Sequence, residues 1–188
     1  MILKTFEINK HKISEKFLLF HGNNQGFKDD IINEIILENF DGEILRYEEN
    51  EVVKNQDNFI SNLNNDSLFS EKKIIIINRV TDKFFSTISN IFTISLKDTL
   101  VILVSEILEK KSKIRQLFEK DKNLISIPFY EDDSRTLQNI AFNLLNKDKI
   151  KISSESINLL IDRAQGDRKN MKNEIAKLKI LFATKKKN

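Results

Sequence analysis

The strongest constraint on the fold is a set of short, continuous apolar runs separated by helix-like segments. Lys73–Asn78 (KIIIIN) contains four consecutive isoleucines, and Thr99–Val104 (TLVILV) is almost as apolar. β-branched residues favour strands, and a run without polar alternation predicts a strand buried on both faces, as in a parallel sheet. Three further strands are predicted at residues 17–20, 43–48 and 124–128.

Amphipathic helices are predicted between these strands. From Phe27 to Phe40 apolar residues recur every three or four positions, and Gly42 follows where a helix stop is expected. The remaining helices of this part are predicted at residues 55–65, 82–95 and 109–120. Strand and helix thus alternate over residues 17–128, which predicts an α/β fold with a five-stranded parallel sheet and helices on both faces.

After Pro128 the pattern contains helices only, at residues 134–146, 153–165 and 168–183. Ser153 and Asp167 are the predicted N-caps of the last two. Their predicted inner stripes are Ile157, Leu160, Ile161 and Ala164, and Met171, Ile175, Leu178 and Phe182. The sequence therefore predicts an α/β domain at 1–130 and a small three-helix domain at 131–188, with the boundary near Glu131–Ser134.

Composition excludes several classes of protein. The chain has no cysteine, which excludes disulfides and Cys-based zinc or iron–sulfur sites, and its two histidines, His11 and His21, argue against a His-built metal site. The N-terminus has no signal-peptide pattern, and no apolar run approaches the length of a membrane span. We expect a cytoplasmic protein without a metal.

Charge is unevenly distributed along the chain. Residues 1–60 carry 7 Lys and Arg against 12 Asp and Glu, a net of −5, whereas residues 147–188 carry 12 against 5, a net of +7. A basic block can bind a phosphate backbone, and lysines at helical spacing are equally typical of a solvated face. Both interpretations stay open.

The segment after the first strand lies where a phosphate-binding loop belongs. Its sequence, GNNQGFKD at residues 22–29, departs from the pattern G-x-x-x-x-G-K-[ST] in glycine spacing and lysine position, and Asp29 replaces the hydroxyl that holds magnesium. The third strand ends in Ile77-Asn78-Arg79, without a carboxylate to orient water. We expect no nucleotide cofactor and no hydrolysis.

Other catalytic arrangements are not indicated. The chain has no G-x-S-x-G elbow and no H-E-x-x-H motif, so no catalytic residue is predicted. His21 follows a strand and is either an active-site base or a structural residue. Asp132 and Asp133 either bind a cation or are simply solvated.

Ser67-Leu68-Phe69 is the most unusual segment. It places two large apolar side chains in an otherwise polar connection shortly before the third strand. These side chains either close the end of the sheet or form a hydrophobic wedge for the pocket of a partner.

Four segments together resemble the N-terminal part of the delta subunit of the bacterial DNA polymerase III clamp loader. FLLFHG at 17–22 is similar to the family's opening strand and degenerate loop, and SLFSEKKI at 67–74 resembles its S-L-F segment. LEKKSK at 108–113 resembles its L-D-K-R-S-K segment. Gly166-Asp167 followed by NEIAKL at 173–178 resembles its G-D…N-E-I-x-K-L helix.

This resemblance implies an AAA+ module, an α/β domain with a three-helix lid, that does not bind ATP. Its implied task in DNA replication is to bind the beta sliding clamp and open it for loading on primed DNA, with Leu68 and Phe69 as the wedge and Ser67 beside them. The holoenzyme is a DNA-directed DNA polymerase, a nucleotidyltransferase, but no catalysis by this chain is implied. The alternatives are a nucleic-acid-binding module and a P-loop NTPase module.

The family continues into a third helical domain, the collar, through which the loader subunits (delta prime and tau/gamma) associate. The sequence stops at Asn188. Either this sequence is a fragment of a longer protein or the collar function is absent, and a module without its collar is expected to grip a clamp without joining a loader.

Overall fold

The computed structural model describes residues 1–8, 15–64, 72–92 and 96–185 of the 188. The chain divides into two compact units. The first contains residues 1–23 and 31–129, and the second contains residues 24–30 and 130–188. The short segment 24–30 thus belongs with residues more than one hundred positions away, which no local pattern in the sequence indicates.

The first unit is built on one sheet of five parallel strands. The strands are β1 (Phe17–His21), β2 (Glu43–Glu48), β3 (Lys73–Asn78), β4 (Thr99–Val104) and β5 (Leu124–Pro128). Their order across the sheet is β2-β3-β4-β1-β5, and every neighbouring pair is parallel. The predicted fold class is confirmed.

Burial explains why these runs are strands. The four isoleucines of β3, Ile74–Ile77, are each at most 3% exposed, so both faces of this strand are covered. The edge strand β2 has no fully buried residue, which matches its mixed polar and apolar sequence. Phe17 packs edge-to-face on Phe92 at 4.7 Å between ring centroids, which joins the sheet to its helical cover.

Eight α-helices accompany the strands in the described part of the chain. They are α1 (Gln25–Ile31), α2 (Glu49–Lys54), α3 (Gln56–Asn64), α4 (Phe85–Ile91), α5 (Lys113–Lys120), α6 (Ser134–Lys147), α7 (Ser154–Arg163) and α8 (Arg168–Lys185). Short 3-10 turns lie at Thr5–Glu7 and Asp82–Phe84, and the second leads directly into α4. None of the described helices is long and apolar enough to cross a membrane.

Two helical segments between β1 and α3 differ from the predictions. The helix predicted to reach Phe40 continues from α1 only as a π-helical turn, Ile32–Ile36, and ends where the amide of Leu37 donates to the carbonyl of Ile32. Helix α2 was not predicted, because it follows β2 without a connecting loop. It is stabilised where the Glu48 amide donates to the Glu51 carboxylate at 2.9 Å.

Helix α5 begins four residues later than predicted, because side chains cap it there. The Ser112 hydroxyl accepts from the Arg115 amide at 3.3 Å, which makes Ser112 the N-cap. Asp82 reaches the same helix end, and its carboxylate accepts from the Ser112 hydroxyl at 2.7 Å and from the Ile114 amide at 3.1 Å. These bonds tie α5 to the turn that precedes α4.

The second unit has its own core, formed by α6, α7 and α8. The predicted N-caps are confirmed: Ser153 accepts from the Ser156 amide at 3.2 Å and Asp167 from the Asn170 amide at 2.7 Å. The predicted stripe of α7 is buried, as are Met171 and Ile175 of α8. Phe182 was wrongly assigned to that stripe, because it is 36% exposed.

Candidate functional site

Ser67, Leu68 and Phe69, the predicted partner-binding residues, lie outside the described residues. Their connection follows α3, whose Leu63 is buried in the core of the first unit. It returns at Lys73, the first residue of β3, whose ammonium lies 3.9 Å from the Glu43 carboxylate. Both ends of the connection are therefore attached to the sheet and its helical cover.

The glycine after β1 serves internal packing. Gly22 has φ +128°, and a Cβ atom on it would lie 2.1 Å from the carbonyl oxygen of Phe129. Its amide donates to the carbonyl of Glu106 at 3.0 Å. A side chain at this position is excluded both by the backbone conformation and by the neighbouring strand exit.

Helix α1 is capped by a side chain where a nucleotide-binding loop offers backbone amides to phosphate. The Asn24 carbonyl oxygen Oδ1 accepts from the Phe27 amide at 3.0 Å. The Asn24 amide nitrogen Nδ2 donates to the Asp132 carboxylate at 2.8 Å and to the Tyr130 carbonyl at 3.0 Å. Phosphate binding at helix ends depends on free backbone amides and a positive dipole. At α1 the Asn24 side chain already bonds the Phe27 amide, and the Asp132 carboxylate lies behind this cap.

The second glycine of the loop makes room for the start of α8. A Cβ on Gly26 would lie 2.9 Å from the amide nitrogen of Lys169 and 3.2 Å from Cβ of Arg168. In a phosphate-binding loop such a glycine lets the backbone approach a ligand. In this chain it lets two segments of the second unit approach each other.

Arg168 is the centre of this arrangement. Its Nε lies 2.7 Å from Asp132 Oδ2 and its Nη2 lies 2.5 Å from Asp132 Oδ1, a bidentate pair. Its Nη1 donates to Asp30 Oδ2 at 3.1 Å, and its guanidinium carbon lies 3.9 Å from the centre of the Phe27 ring. The Arg168 and Asp132 side chains are only 7% and 6% exposed, so this ion pair is buried.

Two further pairs extend the network to the surface. Lys172 contacts the second oxygen of Asp30, and Lys169 lies 3.1 Å from Asp29. With these pairs included, three carboxylates face three cations, so the charges of the whole group balance. Asp29 lies one turn inside α1, where it also accepts from Gln25. We refer to Asn24, Asp30, Asp132 and Arg168 as the Arg168 network.

The two adjacent aspartates of the connection between β5 and α6, Asp132 and Asp133, have structural roles. Asp132 serves Arg168 and Asn24, and Asp133 caps α6 by accepting from the Thr136 amide at 2.7 Å. Hydrogen bonds from Thr136 hold the pKa of Asp133 below its usual value. No group of three or more His, Asp or Glu side chains within the described residues is arranged to hold a metal ion.

The carboxyl ends of the strands carry polar groups that are also used internally. Glu49 is buried and accepts from the Thr81 amide at 2.7 Å and from its hydroxyl at 2.9 Å. The Ser105 hydroxyl donates to the carbonyl of Val80 at 2.5 Å. His21 is a buried strand residue, and its carbonyl accepts from the Phe129 amide at 2.7 Å.

Arg168 and Asp30 were not singled out by the sequence. The sequence signal for these two residues is weak. It consists of an arginine directly after a predicted N-cap and of two adjacent carboxylates in a helix that follows a loop with two glycines. Asp132 was considered as a cation ligand or as a solvated side chain, and not as the partner of an arginine. Their pairing joins positions 36 and 138 residues apart, a distance over which single-sequence patterns carry no information.

No protein-family model matches the chain, and no curated protein does. Solved structures do match. The clamp loader delta protein of Bacillus subtilis has a TM-score of 0.58 at 15% identity, and the match covers 94% of this chain and 56% of that one. The replication initiator DnaA bound to AMPPCP and single-stranded DNA has a TM-score of 0.57 at 14% identity, covering 93% and 59%.

A RuvB variant of Thermotoga maritima has a TM-score of 0.57 at 12% identity, with 91% and 57% of the two chains covered. The chain thus spans little more than half the length of these proteins. At such identities the likeness concerns the fold. The chain has the AAA+ fold that its resemblance to the delta subunit implied, and a clamp loader delta protein is among the structures that share it.

Proposed function

We propose that this chain is a clamp-loader module of the delta type, which binds the beta sliding clamp through Ser67, Leu68 and Phe69 and favours its open form without binding ATP. The four sequence segments shared with the delta family and the AAA+ fold support this assignment. In this proposal residues 1–130 form the clamp-binding α/β domain and residues 131–188 form the lid. Its partners are the clamp and, through a collar, the other loader subunits on primed DNA.

The Arg168 network carries the nucleotide-independent part of the proposal. The start of α8 occupies the space beside Gly26, Asn24 caps the N-terminus of α1, and Asp132 lies directly behind the cap. A triphosphate at this helix end would meet the Asp132 carboxylate behind the Asn24 cap. The loop therefore supports a module whose work is contact and not hydrolysis.

The wedge acts by differential binding. A subunit that binds the open clamp better than the closed clamp shifts the population toward the open form. Burial of a leucine and a phenylalanine contributes roughly 1.5–3 kcal/mol each. The anchored ends of the connection, at Leu63 and Lys73, support a role in which the wedge is carried on a rigid scaffold.

Clamp binding is tested with the double variant Leu68→Ala, Phe69→Ala. We expect its affinity for purified beta clamp, measured by surface plasmon resonance, to fall by at least about 100-fold, as the loss of two anchors predicts. The matched control is Ile107→Ala, an exposed apolar residue of the first unit outside the wedge. Unchanged clamp affinity in the double variant, with an unchanged circular dichroism spectrum, overturns the proposal.

The NTPase alternative makes the opposite prediction for nucleotide. Titration of the chain with a fluorescent ATP analogue and magnesium should give no saturable signal up to millimolar concentration, and clamp affinity should be the same with and without ATP. Saturable nucleotide binding would favour the NTPase alternative over a delta-type module.

The nucleic-acid alternative rested on the basic C-terminal part. Of the nine basic side chains that the structure describes between residues 147 and 188, five form ion pairs. These are Arg168, Lys169, Lys172, Lys177 and Lys179. Most of the positive charge is thus matched within the second unit, which favours the interpretation as a solvated or internally paired face.

A further inference from the structure

A groove opens between the α6–α7 turn and the carboxyl-terminal half of α8, within the second unit. Its volume is about 370 Å³, and it is lined by Asp148, Ile150, Lys179, Ile180, Phe182 and Ala183. Ile150 is buried, whereas Ile180 is 65% exposed. The groove therefore has aliphatic and aromatic walls that are open to solvent.

The last turns of α8 are apolar on more than one side. Met171 and Ile175 cover the core of the unit, and Ile180, Leu181 and Phe182 follow as three consecutive exposed apolar residues. A helix that is hydrophobic on all sides is normally covered on all sides. An exposed cluster of this kind marks an interaction surface more often than a single exposed residue does.

The turn beside the groove is positively charged. Lys147, Lys149 and Lys151 alternate with Asp148 and Ile150, and all three lysines are exposed. Asp148 is paired with Lys179 at 2.6 Å, whereas the three turn lysines form no ion pair within the part of the chain that the structure describes. The Lys149 amide donates to the Asn146 carbonyl at 2.9 Å, so the backbone that carries these charges is held in place.

We propose that this groove binds an acidic amphipathic helix of a partner protein. The apolar face of that helix would cover Ile180 and Phe182, and its carboxylates would pair with Lys147, Lys149 and Lys151. Charge complementarity selects an acidic partner, and the aliphatic walls select a protein segment over a nucleic acid, which offers no aliphatic face to Ile150 and Ile180. This proposal is independent of clamp binding, which involves the first unit.

The probe is a fluorescein-labelled 18-residue helical peptide with leucines at i, i+3, i+4 and i+7 and glutamates on the other face. Fluorescence anisotropy should show saturable binding to the full chain, at least tenfold tighter than binding of a peptide with the same composition in scrambled order. A peptide with lysines in place of the glutamates should bind at least tenfold more weakly than the acidic probe.

The double variant Ile180→Ala, Phe182→Ala should lower probe affinity at least tenfold. Its matched control is Phe142→Ala, Leu159→Ala, which removes exposed apolar side chains that do not line the groove and should change affinity less than twofold. Lys149→Glu with Lys151→Glu should also lower affinity at least tenfold and raise affinity for the lysine peptide. Because these lysines are exposed, this variant tests the proposal even if the apolar variant does not fold.

Three results overturn the proposal. One is equal binding of the ordered and scrambled acidic peptides. Another is binding of a 20-nucleotide single strand or duplex that is tighter than probe binding and lost in the Ile180→Ala, Phe182→Ala variant. The third is concentration-dependent self-association, seen by light scattering and abolished in that variant, which would make a second copy of this chain the occupant.

Discussion

Arg168 joins two segments of the second unit that are far apart in the sequence. Its guanidinium pairs with Asp132 and Asp30 and lies over Phe27, and all of these partners belong to the second unit. A buried ion pair contributes little when intact, because desolvation offsets the attraction between the charges. Removal of one member is costly, because the other charge then stays buried without a partner.

This asymmetry predicts the behaviour of Arg168→Ala. We expect the free energy of unfolding to fall by about 3–5 kcal/mol, as for other broken buried pairs, measured by urea denaturation. The matched control is the next residue: Lys169→Ala breaks the pair with Asp29, whose members are 58% and 35% exposed, and should cost about 1 kcal/mol or less. Equal losses in the free energy of unfolding in the two variants would contradict a larger contribution from the buried Arg168 pairs.

Asp82 gives a second prediction at this scale, for pH. Partial burial acts to raise the pKa of Asp82, but hydrogen bonds from Ser112 and the Ile114 amide and the charge of Lys113 outweigh it, so its pKa is lowered. A carboxyl group with a lowered folded-state pKa contributes stability that is complete above its unfolded value, about 3.9, and is lost as pH falls through the lower folded value.

The stability difference between the parent chain and Asp82→Asn should therefore be constant above about pH 5 and shrink as pH falls below about 4. Thermal unfolding of both proteins across this range measures it. A difference that stays constant down to the acid transition would show that Asp82 acts through packing and not through its charge.

At the scale of elements, strand position in the sheet decides how much a residue contributes. β3 lies between β2 and β4 and is buried on both faces, whereas β2 forms an edge. Ile76→Ala and Ile77→Ala, which affect adjacent positions pointing to opposite faces, should each lower stability by about 2–5 kcal/mol. A large cost at only one of the two would contradict burial on both faces.

The matched control for these substitutions is Ile44→Ala in β2. Ile44 is exposed, so its replacement should lower the free energy of unfolding by less than about 1 kcal/mol. Chemical denaturation of the three variants at one pH gives the comparison directly.

At the scale of the whole molecule, the N-terminal part of the chain is acidic and the C-terminal part is basic. Association with a partner is driven either by apolar burial or by these charges. If the wedge at Leu68 and Phe69 is the anchor, clamp affinity should change by less than about threefold between 50 and 300 mM NaCl, because apolar burial is insensitive to salt. Binding of DNA through lysine–phosphate contacts would instead weaken by a factor of about 10³ or more over a similar range of salt concentration. Titrations of the chain with clamp and with DNA in both buffers separate the two cases.

Local patterns were sufficient for most elements. The isoleucines of β3, the stripe of α7 and the caps Ser153 and Asp167 were all predicted correctly, because strand burial, helical periodicity and N-cap chemistry act over a few neighbouring residues. One prediction failed where a distant contact intervened: Asp82, thirty residues away, helps to set the start of α5. Another failed without one, because Phe182 stays exposed although its spacing fits the stripe.

The sequence by itself determined the parallel α/β class, the three-helix segment that follows it and the loss of a nucleotide-binding pattern, since these depend on residue types at short spacing. Only the tertiary structure decided the strand order, the membership of residues 24–30 in the second unit and the packing of the start of α8 against Gly26. Those features depend on contacts between residues tens to more than one hundred positions apart, for which the chain carries no local signal.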